Sequence, residues 1–272
     1  MISIVTSVHK RDISLWLESL SMQTNAHALE VVLVVYDDDI GEPSIVKQSD
    51  NGLMEIPVKV VNVERIAGAY PEAWLKNIGV RAAAGDVVCC TNIDILYTED
   101  FFQEIERACT SGTLVQATRF DTPEGTTAEA INGTIRLSVP EGESLNVVVD
   151  PREGIATIPK ASGDCQAMRK DDWVDMRGYN ENMVGWGGLD TDLECRALLM
   201  GKSIHQLGFN CPLTNGVKVS HYHLWHEKNV DRSREEGVAN GVVLNELLAS
   251  GELQCNQTWG EYERADEVSA LP

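Results

Sequence analysis

The sequence has few basic residues and no long hydrophobic run. Its 22 lysines and arginines stand against 42 aspartates and glutamates, which gives a net charge of −20 at pH 7. Such a charge repels nucleic acid and anionic membrane surfaces as a whole, although it leaves room for a small basic pocket. No apolar run is long enough to cross a bilayer. Strand-like sequence begins at Ile2, so we expect no signal peptide and a cytoplasmic location.

Several enzyme signatures are also missing. The sequence contains no Walker loop, no G-x-G-x-x-G after a strand, no His-Glu-x-x-His and no G-x-S-x-G. These absences argue against a phosphate-cradling NTPase, a nicotinamide enzyme, a zinc protease and an α/β-hydrolase. The seven cysteines include no Cys-x-x-Cys pair and are odd in number. This favours buried reduced thiols over a disulfide framework or a zinc site.

The N-terminal part of the chain alternates apolar strands with helices. The predicted strands are 2–7, 29–36, 58–63 and 86–91, and the predicted helices are 11–23, 71–84 and 99–108 with Thr98 as N-cap. Nearly continuous apolar strands separated by helices predict an α/β fold with a mainly parallel sheet. Ligands of such sheets bind beyond the carboxyl ends of the strands. The acidic residues at 37–39 and the segment 92–94 both fall there.

The pattern changes after residue 119. Residues 120–160 contain short segments punctuated by Gly, Thr and Pro, which predict a hairpin excursion with a strand at 145–149. A last helix is predicted over 232–248. We therefore predict one domain over 1–230, followed by a C-terminal helix and tail over 231–272. Within the domain, residues 1–119 form one half and residues 120–230 the other.

The segment around Asp190 carries the most informative pattern. Trp186 offers a flat apolar face, while Gly187 and Gly188 let a ligand approach the backbone closely. Asp190 follows where a helix is predicted to begin, and its carboxylate can accept a proton from a bound hydroxyl compound. In the structural alternative Asp190 caps the helix, Asp192 favours its positive end, and the glycines only form a bend.

Three of the six histidines, His221, His223 and His226, lie within six positions. In an extended strand His221 and His223 point to the same face, where two imidazoles can bind a metal or steady a diphosphate. Asp94 follows an apolar strand and adds a carboxylate of the kind that holds a divalent cation near a phosphate. The structural alternatives are a core histidine and an Asx turn.

Two other polar positions each allow a structural and a functional interpretation. Residues 163–169 read as a buried strand, in which Asp164 either belongs to the core or lines an acceptor wall. Lys76 lies on a predicted helix and either meets a phosphate or faces water.

Taken in order, these elements resemble the GT-A glycosyltransferases, above all the inverting family 2 type and the β-1,4-galactosyltransferase type. Residues 3–11 are similar to the opening strand of that group, and residues 30–38 to its second strand with the nucleotide-binding acids. Residues 76–88 are similar to its central helix and following strand. Residues 92–94 are similar to its DxD element, residues 185–192 to its Gly-Trp-Gly-Gly-Glu-Asp segment, and residues 223–226 to its metal-binding histidine region. The likeness covers most of residues 2–230. It implies a Rossmann-like, mainly parallel sheet flanked by helices, with a smaller acceptor-side subdomain.

The resemblance implies a role for each matching residue. The implied ligands of a divalent metal, Mn²⁺ or Mg²⁺, are Asp94 and His223, with His221 and His226 as alternates. The implied donor-binding residues are Ser7, Val8, Asp37, Asp38, Lys76, Asn92, Ile93 and Asp94. The implied acceptor-binding residues are Asp164, Trp186, Gly187, Gly188 and Asp192, beside Asp190 as general base.

The implied activity is metal-dependent transfer of a sugar from a nucleoside-diphosphate sugar to an acceptor hydroxyl, with inversion. A UDP-sugar is the favoured donor and a GDP-sugar the alternative. The chain departs from the family pattern at Asn92, where an acid is usual, and at Leu189, where a glutamate is usual. Two alternative functions are a sugar nucleotidyltransferase and a non-catalytic module that binds a nucleotide sugar.

Overall fold

The computed structural model describes residues 1–9, 11–37, 56–131, 134–147, 164–185, 187–207, 221–226, 234–261 and 269–270. Its strands are β1 (Ile2–Val8), β2 (Leu29–Tyr36), β3 (Val58–Val63), β4 (Val87–Thr91), β5 (Ile95–Tyr97), β6 (Thr113–Ala117), β7 (Arg119–Asp121), β8 (Thr127–Ile131), β9 (Thr134–Ser138), β10 (Asn146–Val147), β11 (Cys165–Arg169), β12 (Ser203–Leu207), β13 (His221–His223) and β14 (Ser269–Ala270). Its helices are α1 (Ser14–Ser21), α2 (Glu72–Ala82), α3 (Phe101–Ala108), α4 (Lys170–Met176), α5 (Leu189–Leu199) and α6 (Arg234–Ser250), with a 3₁₀ turn at Ala26–Ala28.

The largest sheet has eight strands in the order β12-β6-β11-β4-β1-β2-β3-β14. Neighbours pair in parallel at β1–β2, β1–β4, β2–β3 and β6–β12, while β11 and β14 run antiparallel to their neighbours. The central strands are apolar and buried on both faces, as parallel strands covered by helices must be. The predicted α/β fold with a mainly parallel sheet is confirmed.

Two apolar clusters cover the two faces of this sheet. One cluster packs Trp16 of α1 and Phe101 of α3 against Ile4 of β1. The other packs Leu75 of α2 and Trp173 of α4 against the opposite face. Because side chains alternate along a strand, β1 contributes to both clusters. Burial of each large apolar side chain favours the folded state by roughly 1.5–3 kcal/mol, so the sheet is a rigid base for the loops at its edge.

The predicted helices are present, but several ends differ. The first begins at Ser14 rather than at residue 11, because the Asp12 carboxylate accepts hydrogen bonds from the backbone and hydroxyl of Ser14 in a local turn. The predicted N-cap at Thr98 is wrong. Helix α3 begins at Phe101 with Asp100 as its N-cap, and the carbonyl oxygen of Thr98 accepts from the Phe101 N–H at 3.0 Å.

A second sheet of four strands, in the order β10-β7-β13-β5, lies where the central strands end. The chain enters it directly from β4 through residues 92–94. Strand β13 runs antiparallel to β5 and parallel to β7, which sets His223 opposite both Ile95 and Asp121. The predicted hairpin is β8–β9. Among the described residues, no helix combines the length and apolar character needed to cross a bilayer.

Candidate active site

Asp94, His223 and His226 come together at the junction of the two sheets. Oδ2 of Asp94 lies 3.7 Å from Nε2 of His223 and 3.2 Å from Nε2 of His226. The carbonyl oxygen of Asp94 also accepts a hydrogen bond of 2.9 Å from the N–H of Leu224, between the two histidines. One possible ligand atom from each of the three residues lies within 4.8 Å of the others. The fold thus joins residues that are more than a hundred positions apart in the sequence.

The chemistry of this group fits a divalent cation. Oδ1 of Asp94 is buried and has no hydrogen-bond partner among the described residues, although buried polar atoms are normally paired. One carboxylate and two imidazoles form a mixed oxygen and nitrogen donor set of the kind that suits first-row divalent metals. Two of the predicted ligands, Asp94 and His223, and the alternate His226 therefore lie in one place.

His221, the other alternate, is outside this group. Its side chain is fully buried and packs edge-on against Phe101, with ring centroids 5.8 Å apart. Burial lowers the pKa of His221 to about 4, so the ring is neutral at pH 7. The nearest carboxylate oxygen is Oδ2 of Asp164, 4.0 Å from its Nε2. His221 is a core residue in this structure, as the structural alternative stated.

Arg119 organises the carboxylates around the group. Its Nε donates to Oδ1 of Asp121 at 2.6 Å, and its Nη1 donates to Oδ2 of Asp164 at 2.5 Å. Burial raises the pKa of both carboxyls, but Arg119 and the nearby histidines outweigh it, so each pKa lies below its ordinary value. Asp121 and Asp164 are therefore ionised at neutral pH. Asp164 is 9% exposed, so it is part of this network rather than an open acceptor wall.

Lys76, the predicted phosphate contact, forms a buried link with Asn92. Lys76 is 3% exposed, and its Nζ lies 2.6 Å from Oε1 of Glu72 and 3.2 Å from Oδ1 of Asn92. The Asn92 amide nitrogen donates to Oδ1 of Asp164 at 3.0 Å. Both ends of the Asn92 amide are thus engaged within the protein. Ile93 packs its side chain against the core.

Asp190 lies in the first turn of α5, half-buried, after a turn rich in glycine. Gly187 and Gly188 have φ angles of 92° and 85°, which L-residues with side chains rarely adopt. The carbonyl oxygen of Asp190 accepts from the side chain of Gln166 at 3.4 Å. This contact sets Asp190 beside β11, the strand that begins next to Asp164.

The turn before Asp190 is held from two sides. The amide nitrogen of Asn240 on α6 donates to the carbonyl oxygens of Val184 and Gly187 at 3.1 and 2.8 Å, and its oxygen accepts from the Val184 N–H at 3.2 Å. The N–H of Gly185 donates to the carbonyl oxygen of Tyr70 at 3.0 Å. Trp186 itself lies outside the described residues. The backbone of the predicted acceptor platform is therefore fixed by two other parts of the chain.

Asp192, a predicted acceptor-binding residue, lies in the interior of the protein. Its side chain is fully buried and pairs with the fully buried guanidinium of Arg196, at 2.7 Å from Nη2 and 2.8 Å from Nε. Arg196 also donates to the carbonyl oxygens of Met176 and Gly178. Aspartates two positions apart on a helix point in different directions. Asp192 thus anchors α5 to the core.

The predicted nucleoside-binding positions lie at the carboxyl ends of β1 and β2. Ser7 and Val8 are half-buried, and Asp37 is exposed, with its N–H donating to the carbonyl oxygen of Val63 at 3.0 Å. The ring of His9 lies 5.6 Å from that of Tyr70 and 6.4 Å from that of Tyr36. Asp38 lies outside the described residues.

Sequence reasoning missed the arginines that contact the predicted acids. Nη1 of Arg11 lies 2.8 Å from Oδ2 of Asp94, and Arg119 with Asp121 borders His223. The signal for the second pair is the alternation of Arg119 and Asp121 on one face of a strand. That signal has meaning only once β7 is known to pair with β13, about a hundred positions away.

The fold that carries this site is similar to the folds of known proteins. The family model described as the N-terminal domain of galactosyltransferase matches residues 145–223. A solved structure of GalNAc-T7 with UDP, GalNAc and Mn²⁺ has a TM-score of 0.56 at 14% identity, covering 91% of this chain and 48% of that one. The fold is that of the GT-A glycosyltransferases.

Two other GT-A structures give the same result. Staphylococcus TarS (S. aureus) in complex with UDP-GlcNAc has a TM-score of 0.54 at 15% identity, over 89% of this chain and 65% of that chain. The mannosyltransferase PcManGT from Pyrobaculum calidifontis, in complex with GDP-Man and Mn²⁺, has a TM-score of 0.51 at 15% identity, over 85% and 58%. The chain thus spans between about half and two thirds of these GT-A proteins. The search of curated protein sequences finds no match.

Proposed function

We propose that this chain is a metal-dependent glycosyltransferase that moves a sugar from a nucleoside-diphosphate sugar to an acceptor hydroxyl. The observation that carries the proposal is the convergence of Asp94, His223 and His226 within 4.8 Å of one another, where a ligand of a parallel sheet is expected. The GT-A structures similar to this chain support it, because they hold UDP, UDP-GlcNAc or GDP-Man, and two of them also hold Mn²⁺.

On the donor side, Asp94, His223 and His226 would hold the divalent cation, Mn²⁺ or Mg²⁺. When bound, such a cation offsets the charge that develops on a leaving diphosphate. Arg11 adds a positive charge at the same place, since its guanidinium already contacts Asp94. The nucleoside would lie against Ser7, Val8 and Asp37 at the ends of the central strands, with Asp38 kept as a prediction from the sequence. A UDP-sugar is favoured and a GDP-sugar is the alternative.

On the acceptor side, Asp190 would act as the general base. It lies half-buried in the first turn of α5, directly after the glycine turn. The acceptor hydroxyl must be held within hydrogen-bond distance of it for the proton to be transferred. The backbone of Gly187 and Gly188 would form the floor for the acceptor, with Trp186 kept as a prediction from the sequence. In-line attack by the deprotonated hydroxyl would invert the anomeric centre.

A nucleotide-release assay tests this proposal. The protein is incubated with UDP-sugars and GDP-sugars, hydroxyl acceptors and Mn²⁺, and the released UDP or GDP is measured. Asp190→Asn should lower the rate by about a hundredfold or more, because it removes the proton acceptor. Asp171→Asn is the matched control, since Asp171 is an exposed aspartate in the first turn of another helix; it should retain the full rate.

The same assay separates the alternatives. Full transfer by Asp190→Asn would show that the base is wrongly assigned. Release of pyrophosphate from a nucleoside triphosphate would instead identify a sugar nucleotidyltransferase. Tight donor binding in calorimetry without turnover on any acceptor would identify a non-catalytic module that binds a nucleotide sugar.

A further inference from the structure

We infer that Asp121 is a positioning residue that orients the imidazole of His223 for metal binding. The inference rests on the proposed function, because it concerns the same cation. Asp121 lies opposite His223 in the parallel pairing of β7 with β13. Its Oδ1 is 3.2 Å from Nδ1 of His223, on the side of the ring away from the nitrogen that faces Asp94.

The two ring nitrogens of His223 have different surroundings. Nδ1 lies within hydrogen-bond distance of Asp121, whereas Nε2 lies 3.7 Å from Oδ2 of Asp94, beyond that distance. A neutral imidazole carries one proton, and it is most stable where the proton is donated to an acceptor. The geometry therefore assigns the proton to Nδ1. The lone pair of Nε2 is then directed toward Asp94 and His226, as a metal ligand requires.

Arg119 presents the competing arrangement. Its Nη2 lies 3.2 Å from the same Nδ1 of His223. Because a guanidinium only donates hydrogen bonds, bonding to Nδ1 would force the ring proton onto Nε2 and block the metal-facing nitrogen. The carboxylate of Asp121 opposes this, since its Oδ1 lies 3.2 Å from Nδ1 of His223 and also accepts from Nε of Arg119 at 2.6 Å. Arg119 and Asp121 thus favour opposite tautomers of His223, and the proposal assigns the one that Asp121 favours.

A histidine that ligates a metal commonly donates its other ring N–H to a carboxylate, and loss of that partner typically weakens metal binding by about 10- to 100-fold. The arrangement here has the same order: Asp121, then His223, then the cation position beside Asp94. Since Asp121 and His223 lie on paired strands, their side chains share one face of a hydrogen-bonded sheet. The acceptor is therefore built into the framework rather than carried on a loop.

Titration with Mn²⁺ alone, followed by the electron paramagnetic resonance signal of free Mn²⁺, measures the effect without any sugar transfer. Asp121→Ala should weaken Mn²⁺ binding by about 10- to 100-fold relative to the natural protein. Asp121→Asn keeps an oxygen acceptor without the charge, so it should lose less affinity. Glu124→Ala is the matched control, because Glu124 is an exposed acid three positions away; its affinity should be unchanged. Circular dichroism confirms that each variant is folded.

The tautomer is read separately by ¹⁵N–¹H NMR of the metal-free protein labelled on histidine, with His223→Gln to assign the signals. The natural protein should show His223 protonated on Nδ1, and Asp121→Ala should move the proton to Nε2. Unchanged Mn²⁺ affinity in Asp121→Ala, or a natural protein protonated on Nε2, would overturn the inference while leaving the proposed function intact. Failure of the natural protein to bind Mn²⁺ would overturn both.

Discussion

The guanidinium of Arg11 and the carboxylate of Asp94 form an ion pair, with Nη1 2.8 Å from Oδ2. The same Oδ2 of Asp94 lies 3.7 Å from Nε2 of His223 and 3.2 Å from Nε2 of His226. Arg11 and the proposed cation would therefore contact the same carboxylate, that of Asp94. A positive side chain and a positive metal ion compete for the same negative charge.

This competition predicts that Arg11→Gln binds Mn²⁺ more tightly in the absence of nucleotide. We expect a gain of about two- to fivefold, because partly exposed ion pairs contribute less than about 1 kcal/mol. The same titration with Mn²⁺ alone measures it. Arg107→Gln is the control, since Arg107 forms an exposed pair with Glu104 on α3. Equal or weaker binding by Arg11→Gln would mean that Arg11 supports the cation rather than competing with it.

Asn240 predicts a different effect, on the acceptor rather than on the metal. Its three hydrogen bonds hold the backbone at Val184 and Gly187, so Asn240→Ala should loosen the turn before Asp190. We expect the KM for the acceptor to rise by about tenfold with little change in donor affinity, because small displacements of a positioning element are costly. Asn245→Ala, at an exposed position on the same helix, should leave both constants unchanged. A rise in donor KM alone would contradict this role.

Asp192 should behave as a structural residue. Replacing it with alanine leaves the buried guanidinium of Arg196 without its carboxylate, and removal of one partner from a buried pair costs about 3–5 kcal/mol of stability. Urea denaturation should therefore distinguish Asp192→Ala from Asp190→Ala by their free energies of unfolding. The first variant loses stability, while the second stays close to the natural protein. Equal stability of all three proteins would refute the anchoring role.

Glu181 predicts a pH dependence of stability. Burial raises the pKa of its carboxyl, although hydrogen bonds from Asn77 and Gly260 oppose the shift. Above pH 4.5 the unfolded chain ionises first while the folded protein still holds the proton, so the folded state loses free energy as pH rises through that window. Glu181→Gln should therefore gain stability relative to the natural protein between pH 4 and pH 8. Glu252→Gln replaces an exposed acid and is the control in the same denaturation series. A stability difference between Glu181→Gln and the natural protein that does not change with pH would contradict the prediction.

The parallel half of the fold could be predicted because its signals are local. Strands β2 and β3 begin and end at the predicted residues, since both are rich in valine and each is followed by an acidic residue, Asp37 or Glu64. Helix ends were less predictable. The start of α1 depends on the Asp12 turn, and α3 has its N-cap at Asp100, two positions after the predicted Thr98.

The sequence pointed to Asp94 and His223, which lie close together in the structure, but not to the residues around them. Asp94 and His223 belong to recognisable segments, whereas Arg119 and Asp121 reach His223 only through pairing of β7 with β13. The same limit explains Lys76 and Asp192. Their sequence neighbours suggest phosphate and acceptor contacts, but burial against Asn92 and Arg196 is decided by tertiary packing. Long-range pairing of polar side chains leaves no periodic pattern in the chain.

A crystal structure with Mn²⁺ and UDP, recorded at the manganese absorption edge, tests the central claim most directly. The account predicts one anomalous peak within about 2.3 Å of Asp94, His223 and His226, bridged to the diphosphate, since first-row metals bind oxygen and nitrogen ligands at roughly that distance. A Mn²⁺–UDP complex bound elsewhere on the protein, with these three side chains left in their present contacts, would contradict it.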